Sequence, residues 1–235
     1  PVTPGHAGPH DWAVRVIQGL DWSKITFFGY HAYSLGYYGA GDFVWPEMID
    51  ETYTIDDCIA YMRQLLVNSG HPDRDVLMTE RGWARRQDGT LFDAATKAAY
   101  HARMGLIHIR NKVECNVWFY DGFRNPGEYE LPSQAYTNAA VINYWLSGNP
   151  KKTANANTGD AASVGVSVSG VSDLQTLGRR LQLDETRSEI RVALWRAIPS
   201  AGDTQYATIT IPSGYVCAVY FTLTDYDMRV ASISS

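Results

Sequence analysis

The sequence predicts an α/β domain followed by an all-β domain. Residues 1–150 alternate short apolar runs with longer segments whose apolar residues recur at helical spacing. After Pro150 the chain instead shows short runs of alternating hydrophobicity, separated by turn residues. The first pattern is typical of βαβ units with a parallel sheet, and the second is typical of a small antiparallel sandwich. A chain of 235 residues can bury a sizeable core, as one large domain or two smaller ones.

The α/β part begins with a predicted helix over residues 11–20 and a compact apolar strand over 24–30. Thr54 and Asp57 then have the spacing of a capping box, in which each residue satisfies a backbone amide of the other. A helix should follow this box and end near Gly70. One face of that helix is apolar and consists of Ile55, Cys58, Ile59, Met62, Leu65 and Leu66.

The alternation of strand and helix then repeats. Residues 76–79 and 116–120 are predicted strands. Asp93 can cap a long alanine-rich helix between them, and Ser133 can cap a helix that runs through Trp145. The apolar face predicted for the alanine-rich helix consists of Ala95, Ala98, Ala102, Leu106 and Ile109.

The second part begins after a polar segment of small residues at 151–162, which reads as a linker. Residues 163–235 are then predicted to form a β-sandwich or a similar small β domain. Its predicted strands lie at 164–168, 179–183, 190–195, 206–211, 216–223 and 228–233.

Composition argues against several classes of function. The net charge of −5 leaves no basic footprint for nucleic acid or for an anionic membrane. No apolar run approaches the roughly 20 residues of a membrane span. Cys58, Cys115 and Cys217 lie far apart, without metal-ligand spacing, and read as small buried thiols. We therefore expect no metal and no cofactor.

The front of the chain carries no basic region followed by an apolar core, so no signal peptide is expected in this stretch. Because the first residue is Pro1 and not methionine, we expect a chain that is processed, trimmed or incomplete at its front. The cellular location stays open, with secretion or display at the cell surface favoured.

Glu80 is the residue that points to a chemistry. It ends the apolar strand 76–79, and a glycine and Trp83 follow closely. Parallel α/β proteins gather their chemistry at the carboxyl ends of their strands. A carboxylate on a strand tip beside an aromatic wall suggests sugar chemistry, which normally needs a second carboxylate.

Three stretches resemble the retaining glycoside hydrolases of the large (β/α)8 clan that uses two glutamates. Residues 28–33 (FGYHAY) resemble the sixth barrel strand, 77–83 (LMTERGW) the seventh and 117–120 (VWFY) the eighth. The resemblance implies the C-terminal portion of a (β/α)8 TIM barrel within residues 1–150, with strands 6–8 and helices 5–8. Several families of this clan also carry a β-sandwich after the barrel.

The resemblance also implies roles for individual residues. Glu80 would be the nucleophile, and the glycan would be β-linked. His31 and Tyr33, at the tip of the neighbouring strand, would donate hydrogen bonds to the carboxylate and line the sugar site. Four further side chains would offer flat aromatic faces to a sugar ring, namely Trp45, Trp83, Trp118 and Tyr120.

The strand count leaves the fold open. Residues 1–150 supply about three strands and four helices, whereas a (β/α)8 barrel needs eight of each. Either a segment outside this sequence completes the sheet, or the chain forms a small open α/β sheet covered by the β domain. The clan's acid/base glutamate usually follows an asparagine, and no Asn-Glu pair occurs in this sequence. We therefore expect the acid/base before Pro1, with the N-terminal half of the barrel as a possible partner.

Other interpretations stay open beside the glycosidase. A glutamate within the chain could stand in as acid/base, the candidates being Glu47, Glu51, Glu128 and Glu130. The protein could instead be a non-catalytic carbohydrate-binding or surface component on a glycosidase-like scaffold. It could also be an open α/β enzyme of unrelated chemistry, although GxGxxG, P-loop and GxSxG motifs are all absent from the sequence.

Overall fold

The structure of the chain is a computed structural model. It describes residues 11–31, 46–47, 53–83, 90–113, 116–118, 132–147, 157–182, 186, 188–197, 205–215, 218–220 and 229–231. The helices in these ranges are α1 (Asp11–Gly19), α2 (Ile55–Asn68), α3 (Ala94–Arg110) and α4 (Ser133–Ser147). The strands are β1 (Phe27–His31), β2 (Asp75–Arg81), β3 (Asn116–Trp118), β4 (Asn157–Gly159), β5 (Ser167–Ser169), β6 (Leu174–Gln182), β7 (Ser188–Arg196), β8 (Thr208–Thr210), β9 (Ala218–Tyr220) and β10 (Arg229–Ala231).

The first three strands form a parallel sheet in the order β1–β2–β3. Phe28 and Tyr30 of β1 and Val76 and Met78 of β2 are buried, which explains why the strands read as apolar runs. The prediction of a parallel sheet with helices between its strands is confirmed. In the described part of the chain this sheet has three strands and does not close into a barrel, so the (β/α)8 barrel stays a prediction.

Helix α2 forms as its sequence predicts. The Thr54 side chain accepts a hydrogen bond from the Asp57 amide, and the Asp57 carboxylate accepts one from the Thr54 amide. The predicted apolar face is buried, apart from Leu65, which is half-buried against the core. The helix ends at a turn in which Gly70 has φ +82°, a conformation that glycine adopts at little cost.

Helix α3 has two buried faces, of which the sequence predicts one. Ala102 and Leu106 pack towards α4 and the β part, as the predicted face requires, whereas Ala95 is exposed. A second face packs against the parallel sheet and α2, and it consists of Tyr100, Met104 and Ile107. The helix therefore lies between two layers of the protein.

The β part contains three small antiparallel sheets in the described residues, with the orders β4–β6–β7, β5–β8 and β9–β10. Each of the six predicted strand ranges overlaps an observed strand, and β6 and β7 extend beyond their predicted ranges. Within the range predicted as a linker, Asn157–Gly159 is a strand paired with β6, and a short 3₁₀ helix follows at Ala162–Val164. The β-sandwich itself stays a prediction.

The sheet β4–β6–β7 packs directly on the helices of the first part. Leu177 of β6 is buried against Ala102, Leu106 and Ile142. Arg110 at the end of α3 donates to the Thr176 carbonyl oxygen at 3.2 Å. The two parts thus share a core.

Among the described residues, no helix combines the length and apolarity that a membrane crossing requires.

Candidate functional site

His31 and Glu80 face each other at the carboxyl ends of neighbouring parallel strands. Their Cα atoms are register partners between β1 and β2. The His31 Nε2 atom lies 3.4 Å from the Glu80 Oε2 atom, and the side chains are 25% and 29% exposed. A carboxylate and an imidazole are therefore held together on a rigid sheet edge that solvent reaches. The predicted proximity of these two residues is confirmed.

The sheet edge around this pair is shaped by a local irregularity. The register between β1 and β2 shifts between Tyr30 and His31. The Thr79 hydroxyl donates to the Tyr30 carbonyl oxygen at 3.2 Å, beside this shift. Such an irregularity re-aims the side chains at the end of a strand. It brings His31 opposite Glu80 rather than opposite Thr79.

Beneath the site, Tyr30 ties β1 to helix α3. Its hydroxyl lies 2.8 Å from the Nε2 atom of buried His108. The His108 Nδ1 atom lies 2.7 Å from the Met104 carbonyl oxygen. Because a carbonyl oxygen only accepts, Nδ1 carries the hydrogen, and in the neutral form of the ring Nε2 accepts from the Tyr30 hydroxyl. This interaction holds the strand that carries His31.

Only some of the aromatic residues that were predicted to contact sugar lie in the described part of the chain. Trp83 is 3% exposed, and its ring meets that of Tyr100 edge-on with 5.2 Å between centroids. In the described residues Trp83 thus packs in the core, and its predicted contact with sugar stays a prediction. Trp118 lies on β3 with its Cα paired to that of Arg81, and its side chain lies outside the described residues. Tyr33, Trp45 and Tyr120 also lie outside them.

Glu47 takes a structural position rather than the stand-in acid/base role considered from the sequence. It is 4% exposed, and Arg103 of α3 donates from Nε at 2.8 Å and from Nη2 to its carboxylate. The Trp195 indole of β7 donates to the same carboxylate at 2.9 Å. These three donors tie the Glu47 carboxylate into the scaffold between α3 and β7. Glu51, Glu128 and Glu130 lie outside the described residues.

Several other carboxylates in the described residues form ion pairs or cap helices. Asp75 receives two hydrogen bonds from Arg63, at 2.7 Å and 3.0 Å. Asp56 pairs with Arg110 at 2.6 Å. Asp57 and Asp93 cap helices. Glu80 differs from these residues in lying at a strand tip beside a histidine.

In the described ranges, no group of three or more His, Cys, Asp or Glu side chains is arranged to hold a metal ion. The site instead offers a carboxylate that can act as a nucleophile or base. Beside it stands an imidazole that can donate a hydrogen bond or exchange a proton. Cys58 is buried in the core, as predicted, and Cys115 and Cys217 lie outside the described residues.

Two interactions near the site escape sequence reasoning. Arg103 interrupts the apolar residues of α3, which is the one sequence signal for a buried charge, but its partner Glu47 lies 56 residues away. His108 and Tyr30 are 78 residues apart and show no pattern that links them.

Comparisons of the chain with protein-family profiles, curated protein sequences and solved structures found no match.

Proposed function

We propose that the protein is a retaining glycoside hydrolase in which Glu80 is the nucleophile and the glycan is β-linked. The observation that carries the proposal is the 3.4 Å approach of His31 Nε2 to Glu80 Oε2 at the tips of two parallel strands. The resemblance of their segments to the sixth and seventh barrel strands predicts that these two residues lie at neighbouring strand tips. The residues around Glu80 also resemble a nucleophile strand of the two-glutamate clan.

The chemistry runs in two steps. A Glu80 oxygen attacks the anomeric carbon while the bond from that carbon to the leaving oxygen breaks, and a second carboxylic acid protonates the leaving oxygen. Water then attacks the same carbon, gives its proton to the second carboxylate, and releases Glu80. His31 donates from Nε2 to the Glu80 oxygen that does not attack, which orients the carboxylate.

The second carboxyl group has to lie ~5–5.5 Å from Glu80 for a retaining reaction. The scaffold role of Glu47 argues against it as this group. The proposal therefore includes an acid/base glutamate outside the present sequence, on a barrel strand that the resemblance assigns upstream of Pro1. The rest of the barrel would supply it.

Covalent trapping tests the nucleophile without depending on the acid/base. The full-length protein that contains this sequence is incubated with activated 2-deoxy-2-fluoro-β-glycosides, whose dinitrophenolate leaving group needs no protonation. Peptide mass spectrometry should find one fluoroglycosyl group on the peptide with Glu80. Glu80→Gln should abolish the label and lower turnover of an aryl glycoside by at least about 10³-fold. Asp73→Asn, an exposed carboxylate before β2, is the matched control and should leave both unchanged.

The rate of labelling in the same assay tests the role of His31. His31→Ala should slow formation of the labelled enzyme, because the carboxylate loses a donor, while the label stays on Glu80. Labelling of a different carboxylate, or unchanged turnover in Glu80→Gln, contradicts the proposal. Sugar binding with neither label nor hydrolysis favours the non-catalytic carbohydrate-binding scaffold instead.

A further inference from the structure

Arg179 of β6 and Arg191 of β7 lie directly opposite each other in the antiparallel sheet. Directly opposed residues project from the same face, with Cβ atoms about 4.5–5.5 Å apart. Two like charges at this spacing destabilise a sheet unless negative charge lies nearby. The two positive charges therefore need a negative charge nearby.

The described residues provide compensation for one arginine of the pair. Arg191 donates from Nε and Nη2 to the Glu189 carboxylate, at 3.0 Å and 2.8 Å. For Arg179, the described part of the chain shows no hydrogen bond or ion pair, and its Nε atom is buried without an acceptor. Burial, followed by the charge of Arg191, lowers the pKa of Arg179. Within the described residues, Arg179 therefore lacks an anionic partner of its own.

The surroundings of Arg179 favour binding of an anion. Leu177 and Leu181, two residues away on either side along β6, project from the same face and are buried. An apolar surround weakens screening and strengthens the attraction between a guanidinium and an anion. Arg179 and Arg191 are both partly exposed, so a ligand can reach them from solvent.

We propose that Arg179 and Arg191 form an oxyanion site on the face of β6–β7, which takes a carboxylate or sulfate group of a ligand. A guanidinium presents parallel N–H donors that match the two oxygens of such a group. The bound charge neutralises the opposed arginines, and the Arg179 Nε atom gains its acceptor. The site lies on the β sheet, apart from the strand tips with His31 and Glu80, and does not depend on the proposed hydrolase activity.

Thermal unfolding of the full chain tests the site with sulfate as the probe. Sodium sulfate should raise Tm in a saturable way beyond sodium chloride at equal ionic strength, because a ligand that binds the folded state stabilises it. Arg179→Gln should lose this increment and raise the Kd for sulfate at least tenfold. Arg180→Gln is the matched control, because Arg180 projects from the opposite face and donates to the Val164 carbonyl oxygen.

The variants also separate a binding role from a structural one. Without sulfate, Arg179→Gln should have a Tm equal to or above that of the unaltered protein, because it removes a repulsive charge. A structural arginine would show a lower Tm instead, which would overturn the proposal. Chloride matching sulfate at equal ionic strength, or a sulfate response that survives in Arg179→Gln, would overturn it as well.

A second set of thermal unfolding measurements distinguishes a carboxylate ligand from a sulfate ligand. A rise in Tm with glucuronate but not with glucose supports an acidic sugar, and a response confined to sulfate supports a free or ester sulfate group. Glu80→Gln should leave the Kd for either probe unchanged, so failure of the hydrolase proposal and failure of the oxyanion site are distinguishable.

Discussion

Glu47 and Arg103 form a buried ion pair that fastens the connection between β1 and α2 to helix α3. Their side chains are 5% and 9% exposed. Arg103 also donates to the Ala197 carbonyl oxygen, and the Glu47 carboxylate accepts from Trp195. The pair thus joins three segments that are distant in sequence, and its satisfied hydrogen bonds offset the cost of burying two charges.

Removing one member of this pair should be strongly destabilising. Arg103→Met leaves the Glu47 carboxylate buried without its guanidinium, and we expect a loss of about 3–5 kcal/mol in the free energy of unfolding. Urea unfolding measures this loss. The double variant Arg103→Met/Glu47→Leu should recover part of it, because no unpaired charge remains. Lys24→Met, in an exposed pair with Asp21, is the control and should change little. A double variant less stable than Arg103→Met would contradict this account.

Acid should destabilise the fold through His101. Burial lowers the pKa of His101 from 6.5 to about 4. Between these values the unfolded chain binds the proton and the folded chain does not, so stability present above pH 6.5 is lost as the pH falls towards 4. The full effect is at most about 3 kcal/mol. Unfolding free energies at pH 7, 5.5 and 4.5 should decline less steeply in His101→Asn. Parallel declines in the two proteins would rule out this residue as the cause.

Gly178 of β6 should not tolerate a side chain. A Cβ atom there would lie 2.6 Å from Val164 Cγ2 and 2.7 Å from the Asp160 carbonyl oxygen. Since the oxygen belongs to the backbone, Gly178→Ala has to displace the 3₁₀ helix that follows β4, at a cost of about 1–3 kcal/mol. Thermal unfolding checks this, with Gly19→Ala as control because a Cβ at Gly19 meets nothing within 4 Å. Equal Tm values for the two variants would count against the packing described here.

The capping box of α2 should contribute measurably to stability. Thr54→Ala removes the acceptor for the Asp57 amide, and we expect a loss of about 1 kcal/mol. The Thr54 side chain and amide also hold the pKa of Asp57 below its usual range, so the same variant should raise that pKa. Thr54→Ser keeps the hydroxyl and should preserve both properties. Urea unfolding and a titration of the Asp57 carboxyl by NMR measure the two effects.

The features that sequence predicts well depend on short-range pattern. The α2 face and its cap are encoded within residues 54–66, and the meeting of His31 with Glu80 follows from adjacent parallel strands. The cap is encoded by neighbouring residues, whereas the pairing of the two strands also draws on the resemblance to consecutive barrel strands. The described residues bear these predictions out, whereas the barrel and the glycosidase remain predictions.

The features that sequence misses depend on distant contacts. Strand β4 reads as a polar linker because Asn157–Gly159 is stabilised by pairing with β6 rather than by apolar side chains. Glu47 reads as a loop carboxylate, although its partner Trp195 lies 148 residues away. The packing of Trp83 against Tyr100 likewise has no local signal in the sequence.

Helix α3 packs against both parts of the protein, and this packing should decide whether proteolysis between them releases a fragment. Its Met104 side packs on the parallel sheet, while Ala102 and Leu106 pack with Leu177 of β6. A protease that cleaves between α4 and β4 should therefore release no independent domain, because separation would expose both sides of this shared core to water. The nicked protein should stay together under native conditions and come apart only in denaturant.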